Sequence, residues 1–267
     1  MQIPIYHIDA FTETPFKGNP AGVCLLQEPA DPLWMQHIAF EMNLSETAFV
    51  IRKGDHFGLR WFTPATEVKL CGHATLATAH VLWKFGDVKE TEVIQFETLS
   101  GRLSARKVDG WIELEFPAAK IEPSDLTDYY LSALGISPDA IFQSEDKILI
   151  EVADEAVVRQ MRPDFSTLVK LPGRGIMVTA ISDTPGIDFV SRYFAPWVGI
   201  NEDPVTGSAY CILGPYWQKK LSKDHLTAYQ ASARGGIVKL RLSGEKVYIS
   251  GQAVTVIRGF ISSSLEE

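Results

Sequence analysis

RWFTP (Arg60–Pro64) followed by GHA (Gly72–Ala74) and an apolar run, then RYFAP (Arg192–Pro196) followed by GSA (Gly207–Ala209) and a second apolar run: this pattern, present twice, decides the fold. The copies lie 132 residues apart in a chain of 267, close to half its length. The second copy has three more residues between its proline and its glycine. Strand, small-residue turn and apolar helix recurring at half-length predict a duplicated, pseudo-twofold protein. GHATLATAHVLW and SAYCILGPYWQKKL are poor in charge over most of their length, so neither offers a full polar face to water. Each half must then wrap strands around its own helix. Pro215, inside the second helix, is expected to bend it.

Outward from these two segments, apolar and alternating runs read as strands. QIPIYHIDAF, AGVCLL, TAFVI, HFGLRWF, VIQFET and WIELEF fall in the first half. ILIEV, GIMVTAIS, DFVSRYF, KLRLSG, KVYISG and AVTVIRGFI fall in the second. Asp31-Pro32 starts a helix carrying LWMQHIAFEM, and DEAVVRQM is a short polar helix. PAAKIEPSDL, with two prolines, reads as a linker near the midpoint. The fold class is α+β, with two pseudo-equivalent β-rich domains, each of strands wrapped around a central apolar helix. The domains are set at residues 1–120 and 121–267, and the last strand is allowed to return to the first domain.

Lys and Arg total 25 against 33 Asp and Glu, a net charge of −8, with no basic cluster. Such a chain has no electrostatic reason to bind nucleic acid or an anionic membrane. No run approaches the roughly 20 apolar residues that span a bilayer. The start, MQIPIYHIDAF, lacks the basic opening and apolar core of a signal peptide. Cys24, Cys71 and Cys211 are widely spaced and odd in number, so they are expected as reduced thiols in a cytoplasm.

No dinucleotide, phosphate-loop, zinc-protease or nucleophile-elbow motif is present. His73 and His80 share a helix face but sit about 10 Å apart at 1.5 Å per residue, too far to bind one metal. Gly72-His73-Ala74 and Gly207-Ser208-Ala209 open helices whose N–H groups could hold a carboxylate, although glycine there also suits tight packing. Asp203-Pro204 is a helix-start signal, so Asp203 reads either as a cap or as a functional acid. His73 at a helix start is an acid–base candidate or a structural histidine. Cys71 is a reactive thiol or a small buried apolar residue. Glu46, at the start of the strand TAFVI, carries little signal in isolation.

Four ordered segments change that: FTETPFKGNPAGV (11–23), MNLSETAFV (42–50), RWFTPATEVKLCGHATLA (60–77) and NEDPVTGSA (201–209). Together they resemble the PhzF-like isomerase/epimerase family. The resemblance implies a diaminopimelate-epimerase-like fold, in agreement with the repeat. It also implies Glu46 as the general acid/base, with His73 and Asp203 joining proton transfer or holding the substrate. Gly72, Gly207 and Ser208 would bind the substrate carboxylate in a cleft between the halves. Diaminopimelate epimerases of this fold use two thiols, one at each helix start. Here Cys71 has no partner in DPVTGSA, and Cys211 lies three residues past Ser208.

The expected activity is therefore a cofactor-independent isomerisation, with no metal and no cofactor, on a small carboxylate-bearing metabolite. A carboxylate near pKa 4.3 is a weak base, so closure of the cleft should raise it toward working pH. The alternatives are an amino-acid racemase or epimerase and a non-catalytic small-molecule binding protein. By resemblance alone, the assembly is a homodimer.

Overall fold

The computed structural model of the chain describes residues 2–262. Its described residues divide into two compact units, 2–115 with 250–262, and Phe116–Ile249.

In the first unit, β1 (Ile3–Ala10) pairs antiparallel with β2 (Asn19–Leu26). Helix α1 (Pro32–Met42) starts where the Asp31 carboxylate accepts the Leu33 N–H at 2.6 Å and Pro32 takes the first turn. It stops at Asn43, whose φ of 48° lies in the left-handed region that asparagine tolerates. β3 (Glu46–Lys53) then runs parallel to β2 and antiparallel to β4 (His56–Phe62), and the short β5 (Glu67–Val68) folds back on β4. Helix α2 (Gly72–Phe85) follows, then β6 (Ile94–Thr98), β7 (Gly101–Val108) and β8 (Trp111–Pro117).

The second unit opens with β9 (Glu122–Pro123) and α3 (Asp128–Leu134) and then repeats the plan. β10 (Ala140–Ser144) pairs antiparallel with β11 (Lys147–Glu151). After α4 (Glu155–Gln160) and α5 (Phe165–Leu168), β12 (Gly175–Ile181) runs parallel to β11 and antiparallel to β13 (Phe189–Ala195). The short β14 (Ile200–Asp203) folds back on β13 and leads to α6 (Gly207–Leu221). β15 (His225–Gln230) is parallel to β13, as β6 is to β4. β16 (Gly236–Ser243) and β17 (Lys246–Gly251) complete the set.

The repeated sequence has a physical core. Arg60 grips Glu67 through two bonds (2.7 and 2.9 Å), and Arg192 grips Glu202 through two (2.7 and 2.8 Å). Each pair locks a short strand onto its partner, Phe62 opposite Glu67 and Phe194 opposite Glu202. A few residues on, a central helix begins at Gly72 or Gly207. The second copy's extra residues are taken up by a 3₁₀ turn at Pro196–Val198, closed by Gly199 at φ 85°. As the composition demands, α2 is buried from His73 to Trp83 apart from His80, and α6 buries Tyr210, Leu213, Tyr216 and Trp217. A second layer covers the far side of the strands. Trp34 and Met35 of α1 meet Phe49 and Phe62 in one unit, and Tyr130, Val158 and Leu168 meet Ile176 and Phe194 in the other.

Two expectations need correction. The first unit ends at Glu115 rather than residue 120, and it takes back the chain from Ser250 to residue 262, the return that the sequence reading allowed for the last strand. The cause is β18 (Ala253–Ile261), which pairs with β1 along its length and closes that edge. The presumed linker is partly strand, because β9 pairs with β10. Pro215 lies inside α6, which continues past it to Leu221. The carbonyl it cannot bond, that of Cys211, accepts the Ala119 N–H at 2.9 Å instead.

The two arginines should differ in worth. The Arg192–Glu202 side chains are 9% and 19% exposed, and Arg192 also donates to the Val158 and Met161 carbonyls. Arg60 and Glu67 are 33% and 25% exposed. Arg192→Met should therefore cost about 3 kcal/mol, since it strands buried acceptors, and Arg60→Met about 1 kcal/mol or less. Urea unfolding midpoints of the two variants measure this, and equal shifts would refute the difference.

Candidate active site

Glu46 is the first residue of β3, one step past the turn Asn43-Leu44-Ser45 that ends α1. The Ser45 hydroxyl donates to the buried Asn19 side-chain oxygen at 3.3 Å, which ties the start of β3 to the start of β2. This holds the Glu46 carboxylate at the head of α2. Its Oε2 lies 3.2 Å from His73 Nε2, with the side chains 16% and 6% exposed. The other ring nitrogen of His73, Nδ1, is 3.5 Å from Cys71 Sγ.

Burial pushes the His73 pKa down to about 4, against a hydrogen bond to the Pro20 backbone that favours the charged form. The imidazole is therefore neutral at ordinary pH. Loss of hydration outweighs the hydrogen bond to Pro20. A carboxylate beside a neutral imidazole can exchange protons without first breaking an ion pair.

Cys71 is the N-cap of α2 and makes no side-chain capping bond, and Thr206, the N-cap of α6, makes none either. By contrast α1, α4 and α5 are capped by Asp31, Asp154 and Asp164. The two central helices thus start without the side-chain acceptor that would occupy their first-turn N–H groups. Such a terminus favours negative charge.

The second unit holds the remaining sequence-selected residues. Asp203 is not a helix cap: it ends β14, and its Oδ2 accepts the Thr206 hydroxyl at 2.5 Å. The fully buried Gln230 fixes this segment, donating to the Asp203 carbonyl (2.8 Å) and accepting the Thr206 N–H (2.9 Å). Ser208, in the first turn of α6, accepts from Lys147 Nζ at 3.0 Å. Cys211 is not a thiolate, since burial raises its pKa to about 11 with Lys147 only partly opposing. Sequence reasoning selected Glu46, Gly72 and His73, which gather in the first unit, and Asp203, Gly207 and Ser208, which gather in the second. It missed Asn19, Lys147 and Gln230, whose only signal is a long-range pairing.

It also missed that Glu46, Cys71 and His73 bring three possible metal donors within 4.8 Å of one another. The set mixes carboxylate, thiol and imidazole, a combination that suits zinc. His80, the other histidine of α2, points to a different partner and bonds Thr255 at 2.9 Å. No helix among the described residues is long and apolar enough to cross a membrane.

The family described as "Phenazine biosynthesis-like protein" matches residues 8–259. An uncharacterized isomerase of Halalkalibacterium halodurans is 51% identical over 263 residues, 97% of this chain and 98% of that one. The crystal structure of a PhzF-family phenazine biosynthesis protein from Enterococcus faecalis superposes with a TM-score of 0.94 at 42% identity, covering 98% of this chain and all of that one. A probable proline racemase from Agrobacterium radiobacter shares the fold alone, with a TM-score of 0.64 at 13% identity over 99% of this chain and 94% of that one.

The depressed histidine has a consequence for stability. Below its ordinary pKa of 6.5 the unfolded chain takes up a proton that folded His73 refuses until about pH 4. Its contribution is therefore complete above pH 6.5 and is lost as pH falls toward 4. His80 acts in the same direction, lowered to about 4 by burial and then by Lys84 and Lys107. Unfolding free energy measured from pH 7 to 4 should fall, and should fall less steeply in His73→Gln. An unchanged slope would mean that His73 is charged in the folded state.

Proposed function

The chain belongs to the phenazine biosynthesis-like (PhzC-PhzF) family, and we propose that it is a cofactor-independent isomerase that moves a proton beside a carboxylate, with Glu46 as general acid and base. The observation that carries this is the Glu46 carboxylate set against a neutral, buried His73 at the uncapped head of α2. Relatives that bear the name isomerase support the reaction class.

The reaction balances without an oxidant. Glu46 takes a proton from carbon next to an electron-withdrawing carboxylate, and the freed electron pair spreads into the adjoining π system. The protonated Glu46 then returns the proton to a different carbon. Amide N–H groups at Gly72 and Gly207, with Ser208, would stabilise the charge on the substrate carboxylate. His73 and Asp203 would hold the substrate or relay the proton. The work is assigned to the cytoplasm, consistent with three cysteines that form no disulfide.

A two-thiol racemase fits less well. Thr206 stands at the helix head where a partner for Cys71 would be needed, and Cys211 is kept protonated. A non-catalytic binding protein would retain ligand affinity without exchange.

In heavy water the protein should introduce deuterium into a substrate drawn from a panel of small unsaturated carboxylates, read by mass spectrometry. Glu46→Gln should lower exchange by about 10²- to 10⁴-fold while binding persists, whereas Cys71→Ser should keep substantial activity. Asp203→Asn should slow turnover as well. Normal exchange by Glu46→Gln with a dead Cys71→Ser would replace this mechanism with a thiol-based one.

Chelation tests the metal alternative that the Glu46, Cys71 and His73 donors raise. Exhaustive dialysis against a strong chelator should leave exchange unchanged. A loss restored by zinc would refute cofactor independence.

A further inference from the structure

The duplication permits a residue-by-residue comparison of the two helix heads. Phe62 and Phe194 are equivalent, each facing the glutamate of its Arg–Glu pair. Phe62 also faces Thr47, and Phe194 faces Ile176, so Glu46 corresponds to Gly175. Across the parallel pairing Ala21 faces Glu46 and Lys147 faces Gly175, so Lys147 corresponds to Ala21. The helix starts match Cys71 with Thr206 and His73 with Ser208. Where one unit carries a carboxylate, the other carries none and has gained an ammonium on the adjacent strand.

Gly175 cannot be a site that has merely lost its acid. A Cβ there would lie 2.1 Å from the Tyr193 hydroxyl, which fills the space. Lys147 is half-buried and donates to Ser208 Oγ at 3.0 Å. Among the described residues no carboxylate lies within 4.0 Å of its ammonium. Its neighbour Asp146 pairs instead with Arg174 at 3.3 Å. Burial lowers the Lys147 pKa, and the nearby acids Asp146 and Glu145 only partly oppose it. A partly desolvated cation without a counter-ion is costly unless something else supplies the charge.

We propose that Lys147 is the residue that selects a carboxylate-bearing substrate, its ammonium and the Ser208 hydroxyl donating together to one carboxylate group. Ser208 accepts from Lys147, which leaves its own proton to be donated onward. The assignment rests on the proton-transfer reading only in naming the bound acid as substrate. Carboxylate selection itself stands on the second unit alone.

The probes are benzoate and cyclohexanecarboxylate, each compared with its primary amide, titrated into the full chain labelled with ¹³C at lysine ε-carbons. The Lys147 resonance is identified by its absence from the Lys147→Arg spectrum. It should move with the acids and stay still with the amides. Wild type should prefer each acid by about tenfold or more, as a charge-assisted hydrogen bond implies. Lys147→Gln should erase that preference, and Lys147→Arg should keep part of it. The shift measurement needs no variant to bind ligand, so it stands if Lys147→Gln fails to fold. An unmoved Lys147 resonance, a wild type indifferent to acid and amide, or a Lys147→Gln preference within about twofold of wild type would each overturn the assignment. Glu46→Gln should retain the acid preference, which separates the two readings. Acid preference without deuterium exchange in wild type would sink proton transfer and leave Lys147 in place. Exchange without the preference would do the reverse.

Discussion

A helix without a polar face cannot rest on a surface, and the rest of this structure follows from having two of them. α2 buries nearly every side chain from His73 to Trp83, and α6 buries its large side chains from Tyr210 to Trp217, so strands must run past them on several sides. That is why the chain builds β-rich units from short strands, and why β2–β3 and β11–β12 are parallel pairs of apolar residues with a helix in each crossover. Burying a helix also places its N-terminal amides away from bulk water. Three of the other helices, α1, α4 and α5, satisfy that end with an aspartate. The two central ones do not, which leaves their heads suited to an external anion.

The Arg–Glu pairs position those heads. Each is a bidentate clamp that fixes a two- to four-residue strand against its neighbour just before the helix begins. Because the same clamp precedes both helices, the residues that follow fall at equivalent places. The duplication therefore fixes geometry while leaving the chemistry at each place free to change.

It has changed in opposite directions. One head carries Glu46, His73 and Cys71, a group able to take and return a proton. The other carries Thr206, Ser208 and Lys147 around a glycine that has no room for a side chain.

Periodicity, turn chemistry and the repeat determined the fold class, the two central helices, nearly all the strands and the position of Glu46 at a strand start. These are local properties: residues within a few positions of each other decide helix, strand or cap, and the repeat declares itself in the chain without reference to contacts. The Asp31 cap and the buried faces of α2 and α6 were legible in that way. The misreadings were non-local. Asp203-Pro204 looks like a helix start, but Thr206 takes the cap position because β14 must reach Asp203 to close its pairing with β13. The return of β18 to the first unit, which the sequence allowed but did not require, depends on an edge of β1 far away in sequence. Only the tertiary structure could bring His73 against Glu46, remove its water and so keep it neutral. The pairing of Lys147 with Ser208 likewise depends on β11 and α6 meeting, since hydration and distance belong to the folded state and not to the order of the residues.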